Sequence, residues 1–269
     1  MGRCGGGLIL VVFTRPKGFY IMTKSAIDVQ TLYEAGAHFG YSRARRHPSA
    51  SSYLFGTKDH TDIFDLEETG KRIEASTAFL AALAGSGKQA LFVSGKEEAG
   101  DIVKSAALSA GMPYVVGRWI GGTLTNFKNI RKRVERMQKL MAERESGELE
   151  KYTKRDRLLI DREIDELTVR FGGLAGMPEL PGALFIVDTR HEDTAVREAN
   201  QLHIPVIGLA SSDCDFSLIQ FPIPANDTSV KSVRIICDAI AESCVRGHAD
   251  AHRAKGNSQG DVKNAGSAA

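Results

Sequence analysis

The stretch "QALFVSGKEEAGDIVKSAALSAGMPYVVG", residues 89–117, sets a short apolar run, a helical pattern and a second short apolar run in succession. Runs this short, rich in Val and Phe and bounded by turn residues, read as strands buried on both faces, and a helix between them makes the strands parallel. Two further runs, "ALFIVD" (183–188) and "PVIGLA" (205–210), have the same character. Helical patterns precede, separate and follow them: "TGKRIEASTAFLAALAGSG" (69–87), "EDTAVREANQLH" (192–203) and "DTSVKSVRIICDAIAESCVRG" (227–247). The alternation predicts right-handed crossovers and an open parallel sheet with helices on both faces, an α/β fold.

The interval between the strands at 113–116 and 183–188 is too long for one crossover helix. In its first half Phe127, Ile130, Val134, Met137 and Met141 recur at heptad spacing, and in its second Ile160, Ile164, Leu167, Phe171 and Leu174 do the same. Between them lies the polar stretch "ESGELEKYTKRD". Two matching apolar seams joined by a turn predict an antiparallel coiled-coil hairpin over 125–175 that protrudes from the sheet.

The charges cluster on that arm. Lys128, Arg131, Lys132, Arg133, Arg136 and Lys139 face a single acid, Glu135, within one helical stretch. A solvated coiled-coil face usually interleaves both signs to gain pairs four residues apart, so this excess points to a polyanion such as RNA. The overall net charge of +2 would not show it. A second basic cluster, "YSRARRHP" (41–48), joins Arg43, Arg45 and Arg46 to Tyr41 and His47, two rings able to stack on bases. Just ahead of the arm, the only tryptophan, Trp119, precedes Gly121 and Gly122. It is expected to anchor the base of the hairpin, with the glycines allowing a tight course and Thr125 or Asn126 capping the new helix.

Enzyme chemistry finds little footing. "GSGK" (85–88) has Ala82 and Gln89 where a phosphate loop needs Gly and Ser or Thr, and it precedes a strand. No nucleophile stands beside a base. One alternative stays open: Asp188, Asp213 and Asp215 fall at strand ends, where open α/β sheets bind ligands, and with His38 they form a candidate set for a divalent cation.

The ends of the chain read differently from the middle. Residues 1–21 are taken as a non-native or disordered extension, because "LILVVF" is too short for a signal peptide, and Ser25 as the cap of a first helix. From Gly247 the chain is poor in large apolar residues and reads as a flexible tail, 247–269. The core domain is then 22–124 with 176–246. Four cysteines without paired spacing indicate neither disulfides nor a zinc ribbon, and no apolar run approaches the roughly 20 residues that span a bilayer.

The segments "LYEAGAHFG" (32–40), "GMPYVVGRWIGGTLTNFKNIRK" (111–132), "LPGALFIVD" (180–188), "IPVIGLASSDCD" (204–215) and "IPANDTSVKSVRIICDAI" (223–240) resemble, in order and spacing, the bacterial small-subunit ribosomal proteins of the S2 family. The resemblance implies a flavodoxin-like three-layer sandwich with a protruding hairpin and no catalysis; no cofactor is expected, and the divalent-cation alternative stays open. It also implies a cytoplasmic, ribosome-bound protein that is not a homo-oligomer. It would bind small-subunit ribosomal RNA beside neighbouring ribosomal proteins, including the large messenger-binding protein S1. On this resemblance Lys96, Arg118 and Asn126 join the basic residues above as RNA-binding positions. Three departures stand out: Tyr41 replaces a second histidine after "HFG", Arg46-His47-Pro48 stands for Trp-Asn-Pro, and Lys96-Glu97 stands for paired lysines.

Overall fold

The computed structural model describes residues 28–265. The extension 1–21 and the Ser25 cap lie outside them. The first helix, α1 (Val29–Glu34), starts after Asp28 and leads into a small antiparallel sheet of β1 (Phe39–Ser42), β2 (Leu54–Lys58) and β3 (Thr61–Phe64), ordered β1-β3-β2. This sheet is not evident from the sequence. Its hairpin turns on Asp59 and His60, with φ 49° and 63°, so a type I′-like path is taken without the usual glycine.

The main sheet follows from the four apolar runs. In chain order come α2 (Leu66–Gly85), β4 (Ala90–Ser94), α3 (Glu97–Ser109), β5 (Tyr114–Val116), α4 (Phe127–Glu145), α5 (Lys154–Phe171), β6 (Ala183–Val187), α6 (Asp193–Gln201), β7 (Val206–Ala210), β8 (Phe221–Pro224) and α7 (Val230–Ala265). The five strands are all parallel and ordered β5-β4-β6-β7-β8. Numbered along the chain this is 2-1-3-4-5, the flavodoxin-like order, with its switch point between β4 and β6. The sequence reading missed β8, "FPIP", because Pro222 and Pro224 cannot donate to a ladder. As the edge strand it pairs only with β7, where prolines are tolerated.

Side-chain alternation sorts the core into two layers. Phe92, Phe185, Val187, Ile207 and Leu209 point to one face and meet Ile73 and Leu80 of α2, Val103 of α3 and Ile236 and Ile240 of α7. Leu91, Val93, Leu184, Ile186 and Val206 point to the other and meet Trp119, Phe171, Leu174 and the Ala195, Val196 and Ala199 stripe of α6. Every residue of β4, β6 and β7 is buried, which is why these runs carry no polar alternation.

Two details differ from expectation. The helix α7 passes through Gly247 and continues to Ala265, so the chain does not leave helix at that glycine. Gly247 is a packing residue: a Cβ there would sit 2.1 Å from the Ala81 carbonyl oxygen of α2. In α4 the buried residues are Ile130, Val134, Met137 and Leu140, with Met141 only partly covered. They share one apolar cluster with Ile164, Leu167 and Phe171 of α5. A short turn at Glu148–Lys151 joins the two helices.

Candidate nucleic-acid interface

The chain leaves β5 through Gly117 (φ 83°), buries Trp119, turns at Gly122 (φ 88°) and enters α4. What fixes this course is Glu198 of α6, a residue the sequence did not single out. Its Oε1 accepts hydrogen bonds from Trp119 Nε1 at 3.1 Å and the Gly122 amide at 2.8 Å. Its Oε2 accepts from the Leu124 and Thr125 amides at 3.0 and 3.1 Å and from Thr125 Oγ1 at 3.2 Å. Burial pushes the Glu198 carboxyl up, but the bonds from Gly122, Thr125, Trp119 and Leu124 outweigh it and hold the group below its ordinary value. A carboxylate beside the apolar stripe of α6 was the one available signal, since such a group must find donors.

This arrangement alters the expected roles. Asn126 occupies the N-cap position of α4, but its side chain makes no cap bond and instead accepts from Asn129 Nδ2 at 2.9 Å. Glu198, not Asn126, receives the amides just ahead of the helix. Gly122 is needed for its left-handed backbone, whereas Gly121 has ordinary φ and open space around it.

The cations of α4 divide into two sets. Lys128, Lys132 and Arg133 are exposed, and no ion pair involves them among the described residues. Arg131 pairs with Glu135 at 3.3 Å and donates to the Met177 carbonyl at 3.0 Å. Arg136 reaches Glu163 of α5 at 3.2 Å, and Lys139 lies 3.8 Å from Glu143. The face is less one-sided than the sequence suggested, because Glu143 and Glu163 supply acids beyond the Lys128–Lys139 window. Arg118, in the loop before Trp119, is exposed, as is Asn126.

Among the other basic residues, Arg43 and Arg45 are exposed. Arg46 is engaged internally: its guanidinium forks onto Asp62, fully buried on β3, and holds that carboxyl below its ordinary value. The rings of the same cluster are also engaged. Arg45 lies over Tyr41 at 5.7 Å, and His47 Nδ1 meets Ser49 Oγ at 2.7 Å.

Lys96 turns inward. Its ammonium lies 2.8 Å from Asp188 Oδ2 and 2.7 Å from Asp227 Oδ2, joining the segments that follow β4, β6 and β8. Within the fold it is held by two carboxylates, unlike the exposed cations of α4. Burial pushes the Asp227 carboxyl up to about 6 despite the opposing pull of Lys96.

The crevice at the switch point is therefore filled. Asp188 also accepts the Arg190 and His191 amides, Asp213 pairs with Arg190 at 2.6 Å, and Asp215 accepts the Ser217 amide at 2.9 Å. Gly95 leaves room for the His191 and Glu192 side chains, since a Cβ there would meet Glu192 Oε1 at 1.9 Å. The aspartates and His38 do not converge, and among the described residues no group of three or more His, Cys, Asp or Glu side chains is placed to hold a metal ion. No helix among them is long and apolar enough to cross a membrane.

The molecule is thus an α/β protein of flavodoxin-like topology whose strand-end crevice holds internal ion pairs in place of a catalytic set. Residues 32–247 match the family model described as "Ribosomal protein S2", and the chain belongs to that family. It is similar to the small ribosomal subunit protein uS2 of Syntrophobacter fumaroxidans, with 39% identity over 223 residues covering 83% of this chain and 81% of that protein. It is also similar to uS2 of Roseiflexus sp., with 38% identity over 248 residues covering 91% of this chain and 93% of the relative. The family is one of ribosomal proteins, not enzymes.

Proposed function

We propose that this chain is a structural component of the small ribosomal subunit in the cytoplasm and binds small-subunit ribosomal RNA through the start of α4. The observation that carries this reading is the trio Lys128, Lys132 and Arg133, exposed on one helix that Glu198 and Trp119 fix to the core. Arg118 and Asn126 border the trio, and Arg43 and Arg45 supply a second basic patch. Arg131, Arg136 and Lys139 contribute to the field of the helix while bonded to acids of their own.

In this reading residues 125–175 form a projecting antiparallel coiled-coil arm on a core of 22–124 and 176–246. The Arg136 to Glu163 and Arg131 to Met177 contacts support a return of α5 along α4. Exposed cations without partners suit phosphate contacts, which position a protein on folded RNA without reading its bases. The chain acts as a single copy among neighbouring small-subunit proteins, and S1 is recruited nearby.

Fractionation of cell extracts tests the reading. The chain is expected to sediment with small subunits, and the purified protein to bind small-subunit ribosomal RNA with a steep loss of affinity as salt rises. Recovery of the chain only in ribosome-free fractions, with no salt-sensitive RNA binding, would overturn it.

A further inference from the structure

Three aromatic rings stand together where α1 meets β1. The Tyr33 and His38 rings stack with centroids 4.6 Å apart and 13° between their planes, and Phe39 meets the His38 ring at 4.0 Å. Large rings normally go inside, yet Tyr33 is 58% exposed and Phe39 47% exposed. The backbone beneath them is held at four consecutive carbonyls. Ser229 Oγ donates to Ala35, Asn226 Nδ2 to Gly36, the Asn226 amide to Ala37 and the Phe64 amide to His38. His38 Nδ1 is buried with no hydrogen-bond partner, and burial lowers the pKa of the ring. The result is an aromatic shelf on a support held at each of these carbonyls.

Charge lies one strand length away. Arg43 and Arg45 follow β1, whose four residues span roughly 13 Å. Neither forms an ion pair among the described residues. The acid next to Tyr33, Glu34, accepts from Gln30 at 3.0 Å. Flat rings with two exposed guanidinium groups one strand length away, that of Arg45 over the Tyr41 ring, match a short unpaired RNA segment, which offers π faces and phosphates along one chain.

We propose that the Tyr33, His38 and Phe39 shelf seats an unpaired RNA base, with Arg43 and Arg45 taking phosphates further along the same RNA segment. The proposal rests on the RNA-binding reading above and adds a stacking site remote in sequence from α4. Tyr33 presents the freer ring and carries most of the contact. Stacking is tolerant of base identity, so the shelf selects unpaired over paired RNA rather than one base over another.

The test titrates the full chain into a single-stranded RNA of about 12 nucleotides carrying 2-aminopurine, whose fluorescence is quenched on stacking against a ring. The wild type is expected to quench it. Tyr33→Ala should lose the quench and weaken binding roughly five- to a hundredfold with an unchanged salt slope, while Tyr33→Phe keeps both. Thermal unfolding of each variant confirms that the fold is intact, and Phe39→Leu serves as the second variant should Tyr33→Ala unfold. If the RNA binds with full affinity to a folded Tyr33→Ala protein, the shelf proposal fails while the RNA-binding reading stands. If neither this oligomer nor small-subunit ribosomal RNA binds at all, both fail. A variant that binds RNA normally but no longer assembles with neighbouring proteins assigns the rings to a protein partner and overturns the stacking proposal.

Discussion

Glu198 shows how one buried carboxylate organises a whole loop. Five donors converge on it from residues 73 to 79 positions away in sequence. Glu198→Ala would leave the Trp119 indole and three amides without an acceptor in a water-poor site, and we expect a loss of about 3 kcal/mol or more in denaturant unfolding. The pH dependence has a definite sign. A carboxyl whose folded pKa is depressed adds stability that is complete above its unfolded pKa, near about 4.3, and is lost as pH falls through the folded value. The acid limb of the wild-type stability profile should therefore flatten in Glu198→Ala. The adjacent glycines give a sharper contrast. Gly122→Ala places a side chain at φ 88° with its Cβ 3.3 Å from the Asn126 Cβ, and should cost about 1–2 kcal/mol. Gly121→Ala meets nothing within 4 Å and should change stability by less than about 0.5 kcal/mol in the same measurement.

At the scale of elements, the two sets of cations on α4 should separate in experiment. Replacing Lys128, Lys132 and Arg133 together by alanine removes no ion pair seen among the described residues, so thermal unfolding should hardly move. The slope of log affinity for small-subunit ribosomal RNA against log salt should fall by about two to three, since each phosphate left without its cation lowers it by about 0.7–0.9. An unchanged slope would place the RNA elsewhere on the molecule. The apolar seams of α4 and α5 were legible because their period repeats over two helices, and β4, β6 and β7 because strands buried on both faces leave uninterrupted apolar runs. Other features were hidden for local reasons. Pro222 and Pro224 disguised β8, and Asp59 and His60 took left-handed backbone without glycine. Gly247 stands where the apolar pattern ends, and its role as the point where α7 presses on α2 depends on the partner helix. The sites were less legible than the elements. The sequence displays charge but not its partners, so Lys128 and Lys96 looked alike until burial told them apart.

Across the whole molecule, that burial links the strand ends into one unit. The Lys96 ammonium follows β4, Asp188 follows β6 and Asp227 follows β8, so a single cation ties the carboxyl edge of the main sheet on both sides of its switch point. The support is strained as well as charged, since Asp188 holds φ at 62° to reach Lys96 while accepting two amides. Lys96→Met fills similar space but strands two carboxylates, one of them with a fully buried oxygen that lacks any partner. We expect a loss of about 3–5 kcal/mol at pH 7. Acid should then restore part of it. In the wild type the Asp227 carboxyl already sits at about 6, above its unfolded value, so the folded state takes up the proton first and this group opposes folding as pH rises from about 4 to about 6. Without Lys96 the one attraction that lowers the Asp227 pKa is gone, and the opposition grows and extends to higher pH. Denaturant unfolding of wild type and Lys96→Met at pH 7 and pH 5 should show the difference between them narrowing at the lower pH. A gap that stays constant or widens on acidification would mean that the carboxylates find other partners, and that the sheet edge is not held by this cation.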